Sequence, residues 1–171
     1  MRYFSELAYN GTNYFGWQIQ PKQVSVQETL EDAFSTLLQT KIQVVGCGRT
    51  DTGVHASQFF LHFDFPENLP GDLLSRINKF LPKDIAIRRI FEVSKDAHAR
   101  FDAFHRSYEY HLVFRKIPFE VNTAYFFPQA HQLDVQEMQE AAALLLNYES
   151  FFPFCKTRSD AKTMECEMKR A

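Results

Sequence analysis

The chain has 171 residues and a formal net charge of −2. That length holds one large domain, or a small domain and part of a second, and the charge excludes the strongly basic, coating kind of nucleic-acid binder while allowing a local basic cleft. Its three cysteines (Cys47, Cys155, Cys166) form no CxxC pair and its six histidines no ligand pattern, so zinc and a disulfide framework are not expected. There is no signal-peptide core and no membrane-length apolar stretch, which places the chain in the cytoplasm.

Residues 1–9 are aromatic and end at Asn10-Gly11, which reads as a strand closing on a turn. A polar, aromatic loop then runs through Trp17 to residue 23. Ser25, with Glu28 three residues on, is a capping box. It opens a helix with Val26, Leu30, Ala33, Phe34, Leu37 and Leu38 on one face. The β-branched run Ile42-Gln43-Val44-Val45 predicts the next strand. Over residues 58–65 the odd positions Phe59, Leu61, Phe63 and Phe65 are all apolar, while Gln58, Phe60, His62 and Asp64 are mixed. One face of that strand is therefore core and the other more open. Residues 70–81 fit a second helix that buries Leu73, Leu74, Ile77, Phe80 and Leu81, and residues 84–93 a fourth strand.

The order is β-α-β-β-α-β, an α+β ferredoxin-like split with an antiparallel sheet, expected over residues 1–104. A second, incomplete unit of the same kind is expected over residues 105–171. It reads as a strand at 106–114, a helix opened by Asp134 and Glu137 with Met138, Ala141, Ala142, Leu145 and Leu146 on its apolar face, and a strand at 162–170.

Between the second and third strands lies Gly48-Arg49-Thr50-Asp51-Thr52-Gly53-Val54-His55. Gly48 and Gly53 give this loop backbone freedom. Asp51 follows a permanent cation, Arg49, by two residues, and a neighbouring cation favours the ionised carboxylate. Two readings stay open on spacing alone: an Asx-turn, with Asp51 bonding its own backbone, or a nucleophile held charged.

The string resembles the catalytic loop of the TruA-type tRNA pseudouridine synthases, and other segments extend the likeness. Tyr9-Asn10-Gly11 with Tyr14-Phe15-Gly16-Trp17-Gln18-Ile19-Gln20 is similar to the family's Y-D-G-x-x-Y-x-G-W-Q-x-Q stretch, Asn10 replacing the usual aspartate. Ser25-Val26-Gln27, Asn78 with Leu81-Pro82 and Asp84-Ile85, His98-Ala99-Arg100-Phe101, and Arg106-Ser107-Tyr108-Glu109-Tyr110 match further motifs. The likeness covers the chain to about Phe114 and loosens beyond, where Ser150-Phe151-Phe152-Pro153-Phe154 departs from D-F-x-S-F. Family members continue further, so a truncated form is expected.

The resemblance implies conversion of uridine to pseudouridine at positions 38 to 40 of the tRNA anticodon arm, without a cofactor, by a homodimer. It implies Asp51 as the nucleophile, Arg49 as the residue that displaces the base, and Tyr108 as the ring that packs on the flipped uracil. As a matter of residue type alone, Tyr108 and Tyr110 share one strand face and could both be core. His55 and His62 read as hydrogen-bonded structural histidines, and Trp17 as core. Phosphate contacts are expected from among Arg88, Arg89, Arg100, Arg106, Arg115, Lys116, Lys156, Arg158 and Lys162, with Arg100 and Arg106 nearest the substrate.

A second reading is a non-catalytic RNA-binding module of the RRM design, with Phe60 on its open face, although the basic-Gly-aromatic-Gly start of RNP1 is missing. A metal-dependent hydrolase would have only Asp51 and His55 to offer as ligands.

Overall fold

The computed structural model describes residues 1–155 and 165–171. They divide into two compact units, Met1–Glu109 and Tyr110–Ala171. The first contains β1 (Arg2–Tyr9), α1 (Val26–Leu38), β2 (Val45–Gly46), β3 (Ala56–Asp64), α2 (Leu73–Phe80) and β4 (Ile85–Val93). Its four strands form one sheet in the order β2-β3-β1-β4, and every ladder is antiparallel.

Alternation along β1 divides the sheet into two faces. Tyr3, Leu7 and Tyr9 turn toward the helices and join Phe59, Leu61, Phe63, Ile85 and Ile87 in the core. The two helices contact each other and contribute Val26, Leu30, Ala33, Phe34, Leu73 and Ile77 to the same cluster. Phe34 packs on Phe63 with ring centroids 4.6 Å apart. As the capping box required, the Glu28 N–H donates to Ser25 Oγ (3.2 Å). Asn78 ties α2 to β4: its amide donates to the Ile87 carbonyl (2.8 Å) and accepts from the Ile87 N–H (2.8 Å).

Two expectations fail in this unit. Phe80 is 52% exposed, because α2 ends there and Leu81 takes the inward position in extended backbone. The strand expected from Ile42 has only Val45–Gly46 in the ladder. Ile42 and Val44 are buried as their apolar character demands, yet α1 side chains meet their backbone. Ser35 Oγ accepts from the Ile42 N–H (2.9 Å), Glu31 Oε1 accepts from the Val44 N–H (3.0 Å), and Gln27 Nε2 donates to the Val44 carbonyl (3.1 Å). These groups complete the pairing that a sheet partner would have supplied.

The second sheet face carries polar groups. Arg2 donates to both oxygens of Asp64 (2.9 Å each) and also to the Ala97 carbonyl (2.9 Å). A bulge in β4 opposite Glu6 inserts Arg88, so both Arg88 and Arg89 turn to the Glu6 carboxylate (3.6 and 2.6 Å), which also accepts from Gln58 (2.8 Å). His62, 4% exposed, accepts the Ala99 N–H at Nδ1 (3.1 Å) and meets the His98 ring edge-on.

Burial, with Arg2 and His98 adding to it and Asp64 and Asp102 opposing, pulls the His62 imidazole down to about 4. An unfolded chain takes up this proton near 6.5, before the native one does. His62 therefore adds stability that is complete above about pH 6.5 and is lost as the pH falls toward 4. Urea midpoints measured across that window should fall with acidification. They should fall less in His62→Asn, which keeps an acceptor and does not titrate.

The second unit contains β5 (Leu112–Val113), β6 (Tyr125–Phe126) and α3 (Val135–Leu144). Asp134 caps α3 by accepting from the Gln136 and Glu137 N–H groups. The strand expected at 106–114 is reduced to two residues, paired in parallel with β6. Alternation alone makes no strand where, among the described residues, no longer partner lies alongside. None of the α3 side chains expected to be core is buried. The final expected strand falls partly outside the described residues, and Glu165 within it makes an isolated bridge to Ser150.

Candidate active site

Residues 47–55 leave β2 and return into β3. The segment before α1 clamps this loop at several points. Trp17 N–H donates to the Thr50 carbonyl (3.0 Å), Gly53 N–H to the Tyr14 carbonyl (3.2 Å), and Gly11 N–H to His55 Nδ1 (3.0 Å). Tyr9 and Thr50 share a hydroxyl–hydroxyl hydrogen bond of 2.9 Å. An Asx-turn at Asp51 takes the N–H two residues on. Here that group belongs to Gly53 and bonds Tyr14, while Asp51's own carbonyl accepts from Val54 (3.2 Å). Backbone contacts thus contribute to the turn, and Asp51 stands exposed on it.

The clamp needs two glycines. A Cβ on Gly11 would lie 2.0 Å from the Val54 carbonyl oxygen, and one on Gly16 would lie 2.4 Å from that of Thr50. Gly16 also has φ +88°, in the left-handed region. Beneath them Trp17 is 3% exposed and packs on Phe59 with centroids 4.3 Å apart, the core role expected of it.

The clamp tyrosines are not bases. Burial pushes the Tyr9 phenol up to about 12, helped by Cys47 and Tyr108 and opposed by the Thr50 hydrogen bond. Burial also raises Tyr14, as does its hydrogen bond to Asp84 Oδ1 (2.7 Å). Both rings stay neutral through the physiological range.

Arg49 and Asp51 are both exposed on the loop. Tyr108 is 69% exposed and Tyr110 94%, so neither is core. Arg106 reaches the loop and donates from Nη2 to the Cys47 carbonyl (2.7 Å). Arg100 is exposed, its carbonyl 3.5 Å from the same nitrogen. His55 and His62 both accept backbone hydrogen bonds, as read from the sequence. Arg88 and Arg89 are committed to Glu6, while Arg115 and Lys116 are exposed in the second unit. Lys156, Arg158 and Lys162 lie outside the described residues. Sequence reasoning missed Tyr9 and the parts played by Gly11 and Gly16. Two glycines in an otherwise aromatic loop were the available signal of close backbone approach.

Among the described residues no group of three or more His, Cys, Asp or Glu could hold a metal ion, and no helix is long and apolar enough to cross a membrane. A shallow depression of about 540 Å³ beside α1, lined by residues such as Glu31, Ser35 and Lys41, contains none of the candidate residues.

An exposed carboxylate on a backbone-clamped loop, with Arg49 beside it in the chain and Arg106 on the loop's first residue, fits covalent chemistry on an anionic substrate. Comparison with known proteins identifies the class: a family model described as tRNA pseudouridine synthase matches residues 7–102. The chain belongs to this family of isomerases. It is 47% identical over 173 aligned residues to tRNA pseudouridine synthase A of Porphyromonas gingivalis, covering 99% of this chain and 68% of that protein. The proteins of the same name from Parabacteroides distasonis and Bacteroides fragilis are 44% and 45% identical, with the same coverage.

Proposed function

We propose that the chain carries the catalytic domain of an enzyme that converts uridine to pseudouridine at positions 38 to 40 of the tRNA anticodon arm, with Asp51 as nucleophile. The single observation behind this is that the family match spans the clamped loop on which Asp51 stands exposed. In the reaction the N1–C1′ bond breaks, the uracil turns, and a C5–C1′ bond forms. C5 loses its proton and N1 gains one, so the product is an isomer and no electron carrier enters. A covalent bond from the Asp51 carboxylate to the sugar or the base holds the fragment between the two steps.

A stacked uridine has to leave its helix first. Arg49 displaces it, Tyr108 packs on the flipped ring, and Arg100 lies along the phosphate path. The fold reading belongs to the same proposal: the order β2-β3-β1-β4, with all ladders antiparallel, supports a ferredoxin-like split, followed by part of a second unit. The site of action is the cytoplasm, where tRNA is processed.

The test follows from the chemistry. A tRNA transcript with 5-tritiated uridine in the anticodon arm should release tritium to water on incubation with the enzyme. RNA binding without release, lost in Phe60→Ala, would instead favour the RRM-like module.

The working form is proposed to be a homodimer. In its support, the large apolar side chains Phe119, Phe154, Tyr125 and Leu144 of the second unit are all exposed, and a partner could cover them. Light scattering should give twice the chain mass. A monodisperse monomer at micromolar concentration would exclude the dimer.

A further inference from the structure

We propose that Arg106 is a positioning residue: its guanidinium ties the segment carrying Tyr108 to the first peptide of the Asp51 loop, and it does not serve as a phosphate ligand. This rests on the reading of residues 47–55 as the catalytic loop. The segment before Arg106 is anchored on the polar face of the sheet. Arg2 holds the Ala97 carbonyl (2.9 Å), and buried His62 holds the Ala99 N–H (3.1 Å). Asp102 then accepts the His98 N–H (2.7 Å), and the His98 ring stacks on Phe101 at 4.1 Å, closing a compact turn.

From that turn the chain reaches back to the loop through one side chain. Arg106 Nη2 donates to the Cys47 carbonyl at 2.7 Å and makes a longer 3.5 Å contact to the Arg100 carbonyl. The Cys47 N–H meanwhile donates to Phe60 of β3 (2.7 Å). The Cys47 backbone is therefore held at both its peptides, by β3 through the nitrogen and by Arg106 through the carbonyl oxygen.

Gly48 provides the space. A Cβ there would sit 3.2 Å from Arg106 Nε and 3.8 Å from Cδ, so the arginine stem lies directly over a residue without a side chain. Tyr108 follows two residues later on the same segment, and at the other end of the loop the Thr50 hydroxyl beside Asp51 bonds Tyr9. The anchor thus joins the segment that carries Tyr108 to the loop that carries Asp51. The planar guanidinium holds its Nη2 in a fixed orientation, whereas a lysine ammonium on its flexible stem is less preorganised.

Steady-state kinetics with tRNA separate positioning from phosphate binding. Arg106→Ala should lower kcat by about ten- to a hundredfold, the usual consequence of misplacing reacting groups by about an ångström. KM should stay within about twofold, and the salt dependence of tRNA binding should not change. Arg106→Lys should recover only part of the loss. Gly48→Ala, which crowds the same stem, should lower kcat in the native background and add nothing to Arg106→Ala, since the two act through one contact. Hydrogen exchange of residues 47–55 should quicken in Arg106→Ala, whether or not the loop is catalytic.

A raised KM with kcat intact, and a salt slope lower by about one, would make Arg106 a phosphate ligand and overturn the proposal. Unchanged kinetics and exchange would overturn it as well. Turnover surviving in Asp51→Asn would defeat the catalytic reading separately, without touching the exchange result.

Discussion

Asp51→Asn is expected to fold as the native chain does and to lose pseudouridine formation by roughly a thousandfold or more, as removal of a covalent nucleophile does elsewhere. The fold should survive because asparagine keeps the shape of the side chain and backbone bonds support the turn: the Asp51 carbonyl accepts from Val54, and Thr50 and Gly53 bond Trp17 and Tyr14. Exposed substitutions away from special features shift stability by about 0.5 kcal/mol or less. Affinity for tRNA should hold or tighten, because the change removes one negative charge from a surface that meets phosphates. Tritium release from 5-tritiated uridine, thermal melting and a binding isotherm read these three outcomes. Release near the native rate would remove Asp51 from the chemistry, and a collapsed melting curve would show that the carboxylate holds the loop.

Gly16→Ala should do comparable damage without altering any group that touches substrate. The new methyl would lie 2.4 Å from the Thr50 carbonyl oxygen and 3.1 Å from the Asp51 carbonyl carbon, and both obstacles are backbone. Its φ of +88° adds about 1–2 kcal/mol of strain for a residue with a Cβ. Overpacking adds roughly 1–3 kcal/mol more. Relief comes only by pushing the Thr50–Asp51 peptide outward, and a displacement of about 1 Å there costs around a hundredfold in rate. Gly53→Ala is the control. It shares a positive φ (+78°) but has nothing within 4 Å of its added Cβ, so it should show the strain alone. Melting temperatures and single-turnover rates of the pair separate the two contributions. Equal rate losses would show that the clamp does not set the loop.

Local chemistry made much of the first unit legible. Ser25 and Glu28 announced the start of α1, and alternating apolar residues placed one face of β3 in the core. Asp134 announced α3 even though none of that helix's residues is buried. What stayed hidden depends on residues far apart in the chain. Ile42-Gln43-Val44-Val45 has strand composition, but its backbone bonds go to Gln27, Glu31 and Ser35, polar residues of α1 that read as solvent-facing. Tyr108 and Tyr110 alternate like core residues and are exposed, since alternation describes a face without saying what covers it.

The candidate site divides in the same way. Asp51 and Arg49 lie in one short string and were visible together through the family likeness. The clamp was not visible, because it joins Tyr9 to Thr50, Gly11 to His55 and Arg106 to Cys47 across more than forty residues each. Hydrophobic periodicity carries no information about such pairs. Glycines at positions 11 and 16 mark where two backbones touch, and only the tertiary structure says which two.

The indole of Trp17 rests on Phe59, and its backbone amide holds the Thr50 carbonyl. It is the chain's single tryptophan. Its emission therefore arises from one environment, sealed from solvent and coupled to the turn next door. The protein carries an unlabelled optical gauge: if an added RNA hairpin shifts that turn, wavelength and quencher access change together and can be followed in real time by stopped flow.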